Sequence, residues 1–325
     1  MANNTSTWQQ YIHQGLADLD IPPVPATLYE PIQYMLALGG KRIRPLLTLM
    51  AADLFSITDI RQAVPAALAV ELFHNFSLVH DDIMDHAPLR RGNPTVHTKW
   101  NTNVAILSGD NLLIMAYGQL AKCPGDKLPI LLDTFNKMAT EVCEGQQLDM
   151  DYEGLPTVGI DDYLHMIRLK TSVLLGAALK IGAILGEASA TDAQHVYDFG
   201  VNVGLAFQLQ DDLLDVYGDP EQFGKQRGGD ILSNKKTYLL LKALETSDAQ
   251  TVAQLNEWLT RNDQPEAKIK AVTALYDSLG IQQETETAKR FFAAKAYDAL
   301  AKISCENDRK IPLLNLAQHL LDRSK

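Results

Sequence analysis

Apolar residues recur at three- and four-residue spacing along almost the whole chain, and strict alternation is scarce. A period near 3.6 marks helices that bury one face, whereas a half-buried strand needs a period of two. Segments 43–55, 63–85, 102–121, 126–151, 160–186, 191–217, 234–246, 248–261, 266–278, 283–304 and 312–322 carry the helical pattern. Breaks fall where turn chemistry is present: Gly39-Gly40, Pro88, Pro124-Gly125, Gly154-Leu155-Pro156 and Gly218-Asp219-Pro220. No clear hairpin turn separates alternating runs, and no strand leads through a glycine loop into a helix. The spacing therefore predicts an all-α bundle. Its central helices should be the stretches apolar on most faces, 63–85, 171–186 and 196–216. No Gly/Ser-rich linker, low-complexity tract or fixed-period repeat divides the 325 residues, which predicts one domain over 1–325.

The N-terminal MANNTSTWQQ is polar, so no secretory leader is expected. The most apolar stretch, 171–186, is short and carries Lys180, so no membrane span is expected either. Cys123, Cys143 and Cys305 are odd in number, far apart and without a C-x-x-C, which fits reduced thiols in the cytoplasm. A net charge of −11 argues against broad nucleic-acid binding. It also makes the basic clusters informative: GKRIRP (40–45), LRRG (89–92), RLK (168–170), GKQRGG (224–229) and NKK (234–236). One such cluster reads as a solvated helix end. Five in an acidic chain, several beside glycine, call for a joint explanation.

LVHDDIMD (78–85) and QDDLLD (210–215) share the pattern D-D-x-x-D, each at the end of an apolar helix. Residues i and i+4 lie on one helical face, so Asp81 projects with Asp85 and Asp211 with Asp215. Such carboxylates repel and raise one another's pKa. A divalent cation reverses that cost, and clustered oxygens suit magnesium. Two such helices ending beside each other would present both faces across a cavity. Magnesium keeps several waters and shares its shell with substrate phosphates, so the expected ligand is a diphosphate. Arg and Lys supply the remaining neutralisation. Asp82 and Asp212 point about 100° away and are expected to orient waters or pair with a lysine. Glu71-Leu72-Phe73-His74 is an E-x-x-H, the unit that helical di-iron proteins use in pairs. The chain offers no second copy, so a di-iron centre would lack half its ligands.

Taken in order, GGKRIRP, ELFHNFSLVHDDIMDHAPLRRGNPTVH, RLKTS, GLAFQLQDDLLDVYGDPEQFGK and GGDILSNKK resemble the trans-isoprenyl diphosphate synthases, the polyprenyl synthetase family. The likeness runs over roughly residues 30–320. It implies a single large helical bundle around a deep central cavity, usually as a homodimer. It implies condensation of an allylic diphosphate (dimethylallyl, geranyl or farnesyl) with isopentenyl diphosphate, head to tail. By the resemblance, Asp81 and Asp85 bind two magnesium ions against the allylic diphosphate, and Asp211 holds a third from the opposite helix. Arg90, Lys170 and Lys225 would contact that diphosphate with Lys235 nearby, Lys235 being preferred to the adjacent Lys236. Lys41, Arg44, His74 and Arg91 would form a metal-free pocket for isopentenyl diphosphate. Thr171 and Gln208 would present dipoles to the carbocation, and the departing diphosphate would take the proton.

Family members limit product length with bulky residues four, five and eight positions before the first aspartate, here Ser77, Phe76 and Phe73. These lie roughly 6 to 12 Å along the helix. Geometry alone puts Ser77 and Phe73 nearer the Asp81 direction and Phe76 further round, and a buried phenylalanine is otherwise ordinary core. Phe76 followed by Ser77 matches the twenty-carbon pattern best, so a fifteen- to twenty-carbon product is expected, leaning to twenty. A terpene cyclase on the same fold would replace the second aspartate motif and lack the isopentenyl pocket. A non-catalytic partner subunit would have degraded motifs. Here both motifs and GKRIRP are intact.

Overall fold

The computed structural model describes residues 2–218, 228–261 and 263–322. Helices follow one another throughout, as the period predicts. They are α1 (Ala2–Ala17), α2 (Ala26–Ala37), α3 (Ile43–Leu54), α4 (Val64–Met84), α5 (Val96–Lys99), α6 (Thr102–Leu120), α7 (Leu128–Gly154) and α8 (Ile160–Ile167). After them come α9 (Val173–Leu185), α10 (Ala190–Tyr217), α11 (Gly229–Leu232), α12 (Tyr238–Thr246), α13 (Ala249–Thr260), α14 (Pro265–Ser278), α15 (Ile281–Ala301) and α16 (Asn307–Leu321).

Helices α1, α2, α5 and α11 lie outside the segments that the pattern marks, and two further local features depart from it. The stretch 160–186 is not one helix, because Arg168–Ser172 forms a π-helical turn between α8 and α9. A small antiparallel ladder pairs Leu89 with Pro94 and Arg90 with Asn93. Its turn residues Arg91 and Gly92 have φ of 52° and 74°, the left-handed pair that closes a tight hairpin. With two residues per strand there is no alternation for a sequence to display.

The chain divides into two compact units. The first comprises Met1–Ala139, Leu174–Tyr197 and Ile303–Leu313; the second comprises Thr140–Val173, Asp198–Lys302 and Leu314–Lys325. In the first, α4 packs against α1, α3 and α6. Residues Ala66 to Phe73 of α4 are buried without a break, as expected of a central helix. Phe73 meets Phe135 edge-on at 5.4 Å, and Phe135 meets Tyr117 at 5.2 Å. Full burial of one such ring stabilises the fold by roughly 1.5–3 kcal/mol. In the second unit, Leu213 and Val216 of α10 pack with Ile231, Leu240, Val272 and Tyr276.

No helix among the described residues is long and apolar enough to cross a membrane. The cysteines Cys123, Cys143 and Cys305 are free thiols.

Candidate active site

In the first unit the loop before α3 turns sharply. Gly39, Gly40 and Arg42 have φ of 76°, 123° and 47°. A left-handed arginine costs about 1–2 kcal/mol, so something must hold it. Its guanidinium is buried in an ion pair with Glu71 and donates to Leu36 O at 2.5 Å. Asn75 Nδ2 donates to Glu71 Oε1 at 3.0 Å. The acidic member of the E-x-x-H is therefore an anchor for this loop.

His74 faces a cluster of cations. Arg44 Nη1 lies 3.2 Å from His74 Nε2, and a guanidinium only donates, so Nε2 accepts and the ring is neutral. Burial first, then the charges of Arg44, Arg91, Arg90 and Arg42, hold its pKa well below the ordinary histidine value. Burial likewise lowers Arg44, to about 10. Arg91 donates to Gly39 O. Gly40, at a φ of 123° that side chains rarely adopt, brings the backbone to the Arg91 guanidinium, which a Cβ there would meet at 2.8 Å. Arg44 Nε is buried with no hydrogen-bond partner among the described residues. Concentrated positive charge with an unused buried donor fits an oxyanion ligand.

The first aspartate motif closes α4. Asp85 N donates to Asp81 O at 2.8 Å, so the two side chains leave the helix one turn apart. Asp82 points elsewhere. Arg90 Nε reaches its Oδ1 and Oδ2 at 2.9 and 2.8 Å, and Arg90 Nη2 lies 3.7 Å from Asp81 Oδ2. The partner of Asp82 is thus an arginine, not the expected water or lysine. Burial pushes the Asp82 carboxyl up, while the Arg90 bonds pull it back. Upstream, Phe73 is 1% exposed and belongs to the aromatic core. Phe76 is half-buried, 5.5 Å from the Phe73 ring and 4.8 Å from His80. Ser77 Oγ turns back to His74 O at 2.8 Å.

In the second unit the π turn carries Lys170 and Thr171. Neighbouring helices approach it through glycines: a Cβ on Gly145 of α7 would lie 2.2 Å from Lys170 N, and one on Gly204 of α10 would lie 2.7 Å from Ser172 Cα. Lys170 Nζ pairs with Asp149 Oδ2 at 2.6 Å, one turn beyond Gly145. On α10, Gln208 Nε2 donates to Asp212 Oδ1 at 3.1 Å and Tyr163 OH donates to Asp212 Oδ2. Because the Gln208 amide nitrogen is engaged with Asp212, its carbonyl is the end available to a ligand. Burial, with Asp230 adding to it, pushes the Asp212 carboxyl up to about 7. Here too the middle aspartate meets neither of its expected partners directly; a hydroxyl and an amide hold it.

Asp215 accepts from Asp230 N at 3.0 Å and thereby caps α11, while Asp211 is half-buried. The adjacent lysines separate cleanly. Lys236 donates to Tyr152 O and Leu155 O at the end of α7. Lys235 is exposed, and its charge acts on Asp212. Lys225 lies outside the described residues.

No group of three His, Cys, Asp or Glu among the described residues is arranged to hold a metal ion. The acidic residues here are oxygen donors set at i, i+4 spacing rather than closed cages. That suits a hard cation that keeps waters and phosphate oxygens in its shell, as magnesium does.

Sequence reasoning missed the anchoring roles of Arg42 and Glu71, the residues Asp149 and Tyr163, and the capping role of Lys236. Only Glu71 was signalled locally, since an acid within an apolar helical stretch needs a buried partner.

The family model described as polyprenyl synthetase matches residues 25–276. The chain belongs to the polyprenyl synthetase family. Its similarity to individual members of the family is close. It is 44% identical to the geranylgeranyl diphosphate synthase of Methanosarcina mazei over 237 residues, 72% of this chain and 73% of that protein. It is 35% identical to the geranylfarnesyl diphosphate synthase of Natronomonas pharaonis over 320 residues, 92% and 91% of the two chains. A crystal structure of a geranylgeranyl pyrophosphate synthase superposes with a TM-score of 0.94 at 43% identity, covering 99% of each chain.

Proposed function

We propose that this chain is a short-chain isoprenyl diphosphate synthase, a prenyltransferase that extends an allylic diphosphate with isopentenyl diphosphate to a product of fifteen to twenty carbons, twenty by preference. The observation that carries the reading is the cationic pocket around neutral His74, with Arg44 Nε unused, two turns before the Asp81–Asp85 pair. One diphosphate is bound there by cations alone, through Lys41, Arg44 and Arg91 with His74 as a neutral hydrogen-bonding partner.

Asp81, Asp85 and Asp211 are the proposed ligands of magnesium, about three ions by family analogy. When bound, magnesium neutralises the leaving diphosphate. Arg90, Lys170, Lys225 and Lys235 add fixed positive charge where negative charge develops as the allylic C–O bond ionises. Thr171 and the Gln208 carbonyl present dipoles, without a strong nucleophile, to the carbocation. The isopentenyl double bond then forms the new C–C bond, and the departing diphosphate takes the proton lost from the adjacent carbon.

Phe76, half-buried and braced by Phe73, supports a floor under the growing chain, with Ser77 beside it. Phe76→Ala is expected to lengthen the product; an unchanged spectrum removes Phe76 from this role. Incubation with farnesyl diphosphate alone should release no cyclic hydrocarbon, whereas a cyclase would release one. Leu107 and Ile114 of α6, 60% and 65% exposed, support a homodimer in which a second copy covers them. Free cysteines support work in the cytoplasm.

A further inference from the structure

Lys268 of α14 is 1% exposed, which is unusual for a lysine. Removing an ammonium from water is costly unless its surroundings compensate. Its two hydrogen-bond partners among the described residues are neutral: Asn234 Oδ1 at 2.6 Å and Leu259 O at 3.3 Å. A methionine would fill the same space between α14 and α11 without that penalty, so packing does not explain the charge.

The specific thing the ammonium does is hold Asn234. That residue has φ of 55°, the left-handed conformation that asparagine tolerates better than most. It forms the corner between α11 and α12. Around it, Lys235 N donates to Asp230 O at 2.9 Å and Thr237 N donates to Lys235 O at 2.9 Å. Lys235 thus stands on a turn one residue beyond the anchored corner. Lys236, bonded to the carbonyls ending α7, fixes the far side of the same turn.

We propose that Lys268 is a positioning residue that acts through Asn234 to fix the turn aiming Lys235 at the diphosphate. The proposal rests on the reading of Lys235 as a diphosphate contact. Steady-state kinetics on Lys268→Met, Asn234→Gly, Lys235→Ala and the double variants test it. Lys268→Met should raise KM for the allylic diphosphate about tenfold while KM for isopentenyl diphosphate stays within about twofold. Asn234→Gly removes the same contact from an exposed position, keeps the left-handed corner open to the backbone, leaves no buried hole, and must reproduce that split even where Lys268→Met folds poorly. Adding Lys268→Met to Lys235→Ala should then change the allylic KM no further, since both act on one interaction.

Equal effects on both substrates, or multiplying effects in the double variant, would overturn the positioning role and leave the Lys235 contact standing. An unchanged allylic KM in Lys235→Ala would instead identify the contact itself as the failed premise.

Discussion

The two D-D-x-x-D motifs are one string on two helices, and the structure treats their members differently. In the first, Asp81 and Asp85 stack at the end of α4, and Asp82 is clamped by the Arg90 guanidinium. In the second, α10 continues to Tyr217, Asp215 turns to cap α11, and Asp212 is held by Tyr163 and Gln208. The middle aspartate is an anchor in both, secured by a cation in one and by neutral donors in the other. Sequence spacing decides which face a carboxylate occupies, and tertiary neighbours decide what that carboxylate is for.

The sharpest way to break this comparison is to remove one leading aspartate at a time. Asp81→Ala and Asp211→Ala should each lower kcat/KM by about a thousandfold or more with the helical circular dichroism unchanged. Near-normal turnover in either would end the shared metal role. A step below that, Gly145→Ala pushes a methyl into Lys170 N and should lower kcat about ten- to a hundredfold. Rates like those of the wild type would show that the π turn does not need this close approach.

The anchors themselves should differ in stability. Asp82→Asn removes the nearer charge partner of Arg90, leaving only the 3.7 Å approach to Asp81, and should cost about 2–3 kcal/mol in urea unfolding. Asp212→Asn retains neutral partners and should cost less than about 1 kcal/mol. Equal losses would erase the distinction.

A further effect concerns acid. A folded-state histidine pKa depressed below the unfolded value near 6.5 means that the unfolded chain binds the extra proton. Stability from His74 is therefore complete above that value and falls as pH drops below it, by up to about 1.4 kcal/mol per pH unit. His74→Gln should flatten this part of the Tm-against-pH curve, and an unaltered slope would place the titration elsewhere.

Much of this was legible in the sequence. The 3.6-residue period gave the all-α class and the central place of α4, because burying a continuous apolar face leaves a repeating record. The stacking of Asp81 with Asp85 was legible for the same geometric reason, whereas the use of Asp215 to cap α11 was not. The π turn at 168–172 was not, because the glycines that admit it, Gly145 and Gly204, lie on other helices. Nor could spacing separate Lys235 from Lys236. The difference in their surroundings is nonlocal: Lys236 is bonded to carbonyls at the end of α7, more than eighty residues earlier, while Lys235 is exposed. Arg42 with Glu71 and Lys170 with Asp149 are equally nonlocal pairs, 29 and 21 residues apart.

The most direct test of the account is product analysis of the purified protein with magnesium, labelled isopentenyl diphosphate and each of dimethylallyl, geranyl and farnesyl diphosphates. The expected result is magnesium-dependent incorporation of label into linear farnesyl and geranylgeranyl diphosphates, ending at twenty carbons. No incorporation with any primer, or a cyclic hydrocarbon in place of the linear diphosphate, would contradict it.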